Sequence, residues 1–222
     1  MKIIILGNGA EVPNIIELIA FRPDLSISGI LDDNPLRPFT RDLPVIGNLS
    51  EITRYADHGL VWGINSMNNR FLRLRLAFEL QLSPERFVRL IHPSAIISPS
   101  AELGSGVIVQ AGTVISCNVK IGNHTYISPL CSIGHDTTLA DGNILASGVM
   151  LAGGVKIGAA NYFGMTSGIR EKLVIENGNI IGMGATVIHN VTNGHTMVGV
   201  PAHSKGQQPL PELFSAWISS QR

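Results

Sequence analysis

From Ile91 to Val187 every sixth residue is apolar, a series of 17 positions without a break. The residue after each is usually small, as at Gly104, Gly122, Gly134, Ala140, Ala152, Gly158, Gly164 and Gly182. Two places before it, small or β-branched residues recur: Val107, Thr113, Val119, Thr125, Cys131, Thr137, Val149 and Val155. A chain that is 45% hydrophobic does not produce such a series by chance. A six-residue period suits a short flat strand followed by a tight corner, with the aliphatic side chain inward and small neighbours letting the chain turn. Three such units close one triangular coil, and coils stack at the spacing of paired strands, about 4.8 Å. No insertion interrupts the register, so residues 91–203 are predicted to form a smooth parallel prism.

The remainder of the 222 residues has a different character. Residues 1–90 carry 20 of the 32 charged side chains, whereas 91–203 carry nine of them and 17 of the 24 glycines. That shift places a domain boundary near Leu90. The first part reads as β-α-β: strands over 2–6, 26–31, 60–64 and 87–91 and helices over 12–20 and 70–81, a small parallel α/β sheet of the Rossmann-like, doubly wound type. Residues 204–222 form a tail in which Leu213, Phe214, Trp217 and Ile218 share one face of a short helix, expected to cap the open end of the prism.

Sixteen basic and 16 acidic side chains give no net charge, which disfavours nucleic acid and anionic membranes as partners. No run of 18 apolar residues exists to span a membrane. The N-terminus reads as a strand rather than a signal peptide. Cys117 and Cys131 provide no disulfide framework and are read as small buried hydrophobes in a reducing, cytoplasmic setting.

Three features fall on the carboxyl edge of the N-terminal sheet, where such sheets bind ligands. Gly7-Asn8-Gly9 joins the first strand to the first helix, Asp32 and Asp33 follow the second strand, and Gly63-Ile64-Asn65 follows the third. Together they point to a nucleotide-type ligand, although the first loop lacks the third glycine of a dinucleotide fingerprint. In the prism, His135 sits at a corner and faces outward beside Asp136. Eighteen residues on, one coil above it, stand Gly153 and Gly154, which leave a groove and expose backbone N–H. A neutral imidazole oriented by a carboxylate is a proton acceptor near neutral pH. His92 reads as a junction residue, and His58, His124, His189, His195 and His203 as turn or surface residues. The histidine spacings 124/135 and 189/195 fit no zinc site, so no metal is expected.

The repeat resembles the left-handed β-helix of hexapeptide acyltransferases. Gly7–Val12, Leu31-Asp32-Asp33, Gly63-Ile64-Asn65 with Arg70, Ile91-His92-Pro93-Ser94-Ala95, Gly134-His135-Asp136 and Val198-Gly199-Val200-Pro201-Ala202 together resemble bacterial nucleotide-sugar acetyltransferases. That group includes the N-acetyltransferases of UDP-bacillosamine pathways and of GDP-perosamine, and the sialic-acid O-acetyltransferase-like proteins. The resemblance implies a homotrimer serving bacterial surface-glycan biosynthesis. Acetyl-CoA would lie between neighbouring prisms, held by Gly153, Gly154, Gly164, Met183, Gly184 and Lys205. The N-terminal domain would hold a nucleotide-linked amino sugar through Gly7, Asn8, Gly9, Asp32, Asp33, Gly63, Ile64, Asn65 and Arg70. It further implies direct transfer, with His135 as general base and Asp136 as its acidic neighbour. Two departures stand out. Ala10-Glu11 replace the end of a loop that in the family reads closer to Gly-x-Gly-Gly/Ser-Gly-His, and Ser66-Met67-Asn68-Asn69 lengthen the third-strand loop. Arg170-Glu171-Lys172 interrupts the small-residue pattern and reads as solvated charge. Three alternatives stand beside this reading: a sugar O-acetyltransferase, a β-helix scaffold that binds a nucleotide sugar without turnover, and a dinucleotide-dependent oxidoreductase.

Overall fold

The computed structural model of the chain describes residues 1–34 and 43–220. The N-terminal unit is a four-stranded, all-parallel sheet. Its strands are β1 (Lys2–Leu6), β2 (Ser26–Leu31), β3 (Val45–Gly47) and β4 (Gly59–Trp62), in the order β3-β2-β1-β4. Helices α1 (Val12–Ala20) and α2 (Leu72–Glu79) flank it. Ile3, Ile4, Ile5 and Leu6 are all fully buried, as expected of a strand covered on both faces. The short strand β3 was not anticipated. Its three residues, VIG, are too few to show a period, and only pairing with Ile30 and Leu31 reveals it.

From Leu90 the chain winds as a left-handed parallel β-helix. Each coil contributes three two-residue strands, and partners lie 18 residues apart, as in Lys120↔Thr138, Tyr126↔Ile144 and Ser132↔Met150. The second residue of each pair points inward. Val109, Ile115, Ile121, Ile127, Ile133, Leu145, Phe163, Ile169 and Val187 build one continuous core with the small residues two places before them. The inner column at 143, 161 and 179 departs from the small or β-branched pattern with three fully buried asparagines. Asn143 Oδ1 accepts from the backbone N–H of Asn161 (3.0 Å), and Asn161 Oδ1 from that of Asn179 (2.8 Å), so these amides stitch successive coils together. Buried amides are tolerated because nearly every polar atom finds a partner.

The outward residues give the prism three unlike faces. Ile108, Tyr126 and Ile144 are buried, the first two packing with Ile3, Ile5 and Ile15 of the N-terminal unit. Glu102, Lys120 and Lys156 populate a second face, where Lys120 and Glu102 pair at 3.1 Å. The third face presents Ile96, Val114 and Met150, all exposed, with Ser132 and Gly168 between and above them in register.

The C-terminal helix α3 (Glu212–Ser220) does not cap the open end, contrary to expectation. Phe214 packs with Leu74, Ala159 and Ala160, and Phe71, Leu210, Trp217 and Ile218 complete that cluster on the flank of the prism beside α2. Leu74 and the small alanines offer an apolar notch there. At the last coil a hairpin (His195–Val198 with His203–Gln207) ends the sheet, and Met197 and Ala202 pack against the core.

Candidate functional site

The corner between the apolar and charged faces holds the residues singled out from the repeat. His135 Nδ1 lies 2.7 Å from Asp136 Oδ2. The carboxyl is held below the usual carboxylate range by hydrogen bonds from the His135 ring and then from the Asn118 amide. An ionised carboxylate only accepts, so Nδ1 carries the proton and the lone pair of the neutral ring is on Nε2. Asp136 adopts φ 58°, the left-handed turn conformation, which brings its side chain round to its neighbour.

Nε2 is turned towards the next coil. A methyl group at Gly153 would come within 2.6 Å of it and within 2.8 Å of Cε1, so the absence of a side chain at 153 is what leaves the ring its place. Gly154 N–H donates to His135 O (2.8 Å), and Lys172 N–H donates to Gly153 O (3.0 Å), which fix the backbone of the groove. Among the described residues the N–H of Gly153 makes no hydrogen bond. Arg170, Glu171 and Lys172, all exposed, occupy the same corner one coil further on. His135, Asp136, Gly153 and Gly154 thus come together. Gly164, Met183 and Gly184 belong to the adjacent corner, across the apolar face, where Gly184 N–H donates to Met165 O (2.9 Å) and Met183 is exposed. Lys205 is exposed on the terminal hairpin.

The N-terminal loops converge as well, chiefly on one another. Gly9 N–H donates to Gly63 O (3.1 Å), and a methyl group at Gly63 would lie 2.0 Å from Gly7 O. Close contact between the two loops therefore accounts for glycine at 9 and 63. The Asp32 carboxylate accepts from the backbone N–H groups of Asn8 and Asn34, and Asp33 accepts from Leu49 N–H (2.9 Å). Asn65 Oδ1 accepts from Arg73 (3.4 Å), and Ile64 packs against Gly7. Arg70 is buried, lies 4.4 Å over the Phe71 ring and donates to Gly178 O (3.3 Å), so its guanidinium ties α2 to the prism.

Several residues have roles that the sequence did not disclose. Arg73 is fully buried and donates to Gly142 O (2.9 Å); burial lowers its pKa to about 10. Tyr126 Oη donates to Glu11 (2.9 Å) and accepts from Gln110 (3.1 Å), joining α1 to the prism. His124, read as a turn or surface residue, is instead buried. Its Nδ1 accepts from Trp62 Nε1 (3.1 Å), and desolvation, with the nearby Arg73 charge, lowers its pKa to about 3. Cys131 is buried as expected, and that burial raises its thiol to about 11, whereas Cys117 is exposed. Among the described residues no three His, Cys, Asp or Glu side chains are grouped to hold a metal ion, and no described helix is long and apolar enough to cross a membrane.

Residues 118–153 match the bacterial transferase hexapeptide family (six repeats). The chain is 32% identical over 114 residues to UDP-N-acetylbacillosamine N-acetyltransferase of Bacillus subtilis (strain 168), an alignment spanning 50% of this chain and about half (51%) of that relative. Among solved structures it is similar to a mutant of perosamine N-acetyltransferase from Caulobacter crescentus in complex with CoA and GDP-perosamine. The TM-score is 0.83 at 28% identity, covering 93% of this chain and 98% of the other. WeeI from Acinetobacter baumannii matches with TM-score 0.78 at 25% identity, covering 92% and 100%. Fold and repeat place the chain among the left-handed β-helix proteins with hexapeptide repeats. Within that class it resembles the nucleotide-sugar N-acetyltransferases over nearly its whole length.

Proposed function

We propose that this protein is an acetyltransferase that moves the acetyl group of acetyl-CoA to the amine of a nucleotide-linked sugar. The observation that carries the reading is the His135 ring, held at Nδ1 by Asp136 with Nε2 facing the glycine gap at Gly153. His135 takes a proton from the sugar nitrogen as that nitrogen bonds to the acetyl carbon, and returns it to the sulfur as the C–S bond breaks. Asp136 holds the ring at Nδ1 and fixes its orientation. Gly153 N–H is the donor for the acetyl oxygen as negative charge gathers there. Neither cysteine has a part, and Cys131 stays a thiol in the core.

Acetyl-CoA is assigned to the groove at Gly153 and Gly154 and to Gly164, Met183, Gly184 and Lys205. The nucleotide is assigned to the Gly7–Gly9 loop, Asp32, Asp33, Gly63, Ile64, Asn65 and Arg70. Homotrimer formation is supported by the exposed apolar face with Ile96, Val114 and Met150 beside the His135 corner, since a patch of that kind marks an interaction surface. A neighbouring prism would close the groove. The proposed setting is cytoplasmic synthesis of a bacterial surface glycan.

Thiol release from acetyl-CoA, measured with UDP-, dTDP- and GDP-linked amino sugars and their hydroxy counterparts, tests the reading. Turnover with one amino-sugar nucleotide and formation of the acetamide are expected. Preferential turnover of a hydroxy sugar would make the protein an O-acetyltransferase, and no thiol release with any acceptor would make it a binding scaffold.

A further inference from the structure

We infer that Asn118 is a positioning residue for the His135–Asp136 pair, acting through the second oxygen of the Asp136 carboxylate; the inference rests on the proposed role of that pair. Asn118 lies 18 residues before Asp136, one coil below it. Its Nδ2 donates to Asp136 Oδ1 at 3.0 Å, while Asp136 Oδ2 faces His135 Nδ1 at 2.7 Å. The carboxylate is therefore gripped at both ends, and the histidine is only one of its partners. Asn118 is itself held, its backbone N–H donating to Ser100 Oγ (3.1 Å) one coil lower still. Ser100, Asn118, Asp136 and His135 form a chain of hydrogen bonds climbing the corner. It needs no buried interior, since every member is carried by the stacked backbone.

The left-handed conformation of Asn118 (φ 59°) does not by itself explain an asparagine there. Leu130, Ala160, Thr166 and Lys172 adopt the same conformation at equivalent corners with φ of 55–60°. The backbone accepts several side chains at this place in the turn, and the one beneath Asp136 is an amide that can donate. Without it the carboxylate of an exposed residue could swing away from the imidazole, and loose orientation of a catalytic group lowers rate without weakening substrate binding.

The test uses the full chain and the acetyl-transfer assay with its acceptor nucleotide sugar. Asn118→Gly removes the amide and keeps the left-handed turn, which glycine adopts without strain. Its kcat is expected to fall about five- to tenfold, the scale of one partly solvated hydrogen bond to a charge, with KM for acetyl-CoA within about twofold. In an Asp136→Ala background the same change should cost nothing more. Asn118→Asp sets two carboxylates against each other, so its activity relative to Asn118→Gly should rise as pH falls and a shared proton restores the contact. Wild-type kcat in Asn118→Gly, a loss that persists in Asp136→Ala, or a pH-independent ratio would each overturn the inference. Near-wild-type rates in both His135→Ala and Asp136→Ala would overturn the proposed mechanism and this inference together. A collapse in those two alone would overturn only the role of Asn118.

Discussion

Two corners of the prism use the same turn for opposite ends. At one, Asn123 and His124 hold the places that His135 and Asp136 hold at the other. Side chains there close over the backbone. Asn123 Oδ1 accepts from Ser105 N–H, Asp141 Oδ1 from Asn123 N–H and Asn177 Oδ1 from Ala159 N–H, each at 2.8 Å. The N-terminal unit then covers His124 and keeps it neutral. At the other corner the ladder is broken. Gly153 brings no side chain over the coil below, the imidazole of His135 fills that space, and the N–H of Gly153 stays open. A repeat whose backbone is uniform thus gives a sealed joint where the residue one coil above brings an acceptor. It gives an open corner where Gly153 brings none over His135 and, among the described residues, no side chain accepts from the N–H of Gly153.

The sharpest way to break this contrast is to fill the gap. Gly153→Ala puts a methyl group within 2.6 Å of Nε2, so the ring must leave its position, and kcat should fall about 10²-fold, as expected of ångström-scale misplacement. Circular dichroism should be unchanged. A fully active Gly153→Ala protein would mean that the ring position is irrelevant.

At the sealed corner the expected effect is on pH-dependent stability. His124 has a folded-state pKa of about 3 against an ordinary value of 6.5. Between those values the unfolded chain binds a proton that the native protein refuses, so native stability is full above about pH 6.5 and declines as pH falls towards 3. An asparagine in place of this histidine keeps an acceptor for Trp62 and removes the titration. The stability difference between pH 7 and pH 5, from urea unfolding, should shrink by about 2 kcal/mol in His124→Asn; an unchanged difference would show that His124 is not the group responsible. The smallest effect belongs to Asn123→Ala, which leaves Ser105 N–H without its acceptor. It should cost about 1 kcal/mol of stability and leave kcat alone, and a lowered kcat would blur the distinction between the corners.

The prism was legible because a strict period of six determines both which side chain points inward and which residue stands over which. That arithmetic sufficed to bring Gly153 over His135, and the same offset of 18 links Asn118 to Asp136. What escaped depends on how the first 90 residues dock. Burial of His124 requires Trp62 and Phe87 against it, and burial of Arg70 and Arg73 requires carbonyls from coils more than 60 residues away; no local pattern carries such contacts. The asparagines at 143, 161 and 179 break the small or β-branched rule of their column, and amides at intervals of 18 in a core position are the signal by which such a ladder can be found. The place of α3 was missed because an apolar helix face does not reveal which of two apolar surfaces it meets.

The central claim, that the open corner is a catalytic one with His135 as its base, is tested most directly by the kcat of acetyl transfer in His135→Ala. Loss of the base should lower kcat by about 10²- to 10⁴-fold while KM for acetyl-CoA stays near wild type, and a kcat within about tenfold of wild type would contradict the claim.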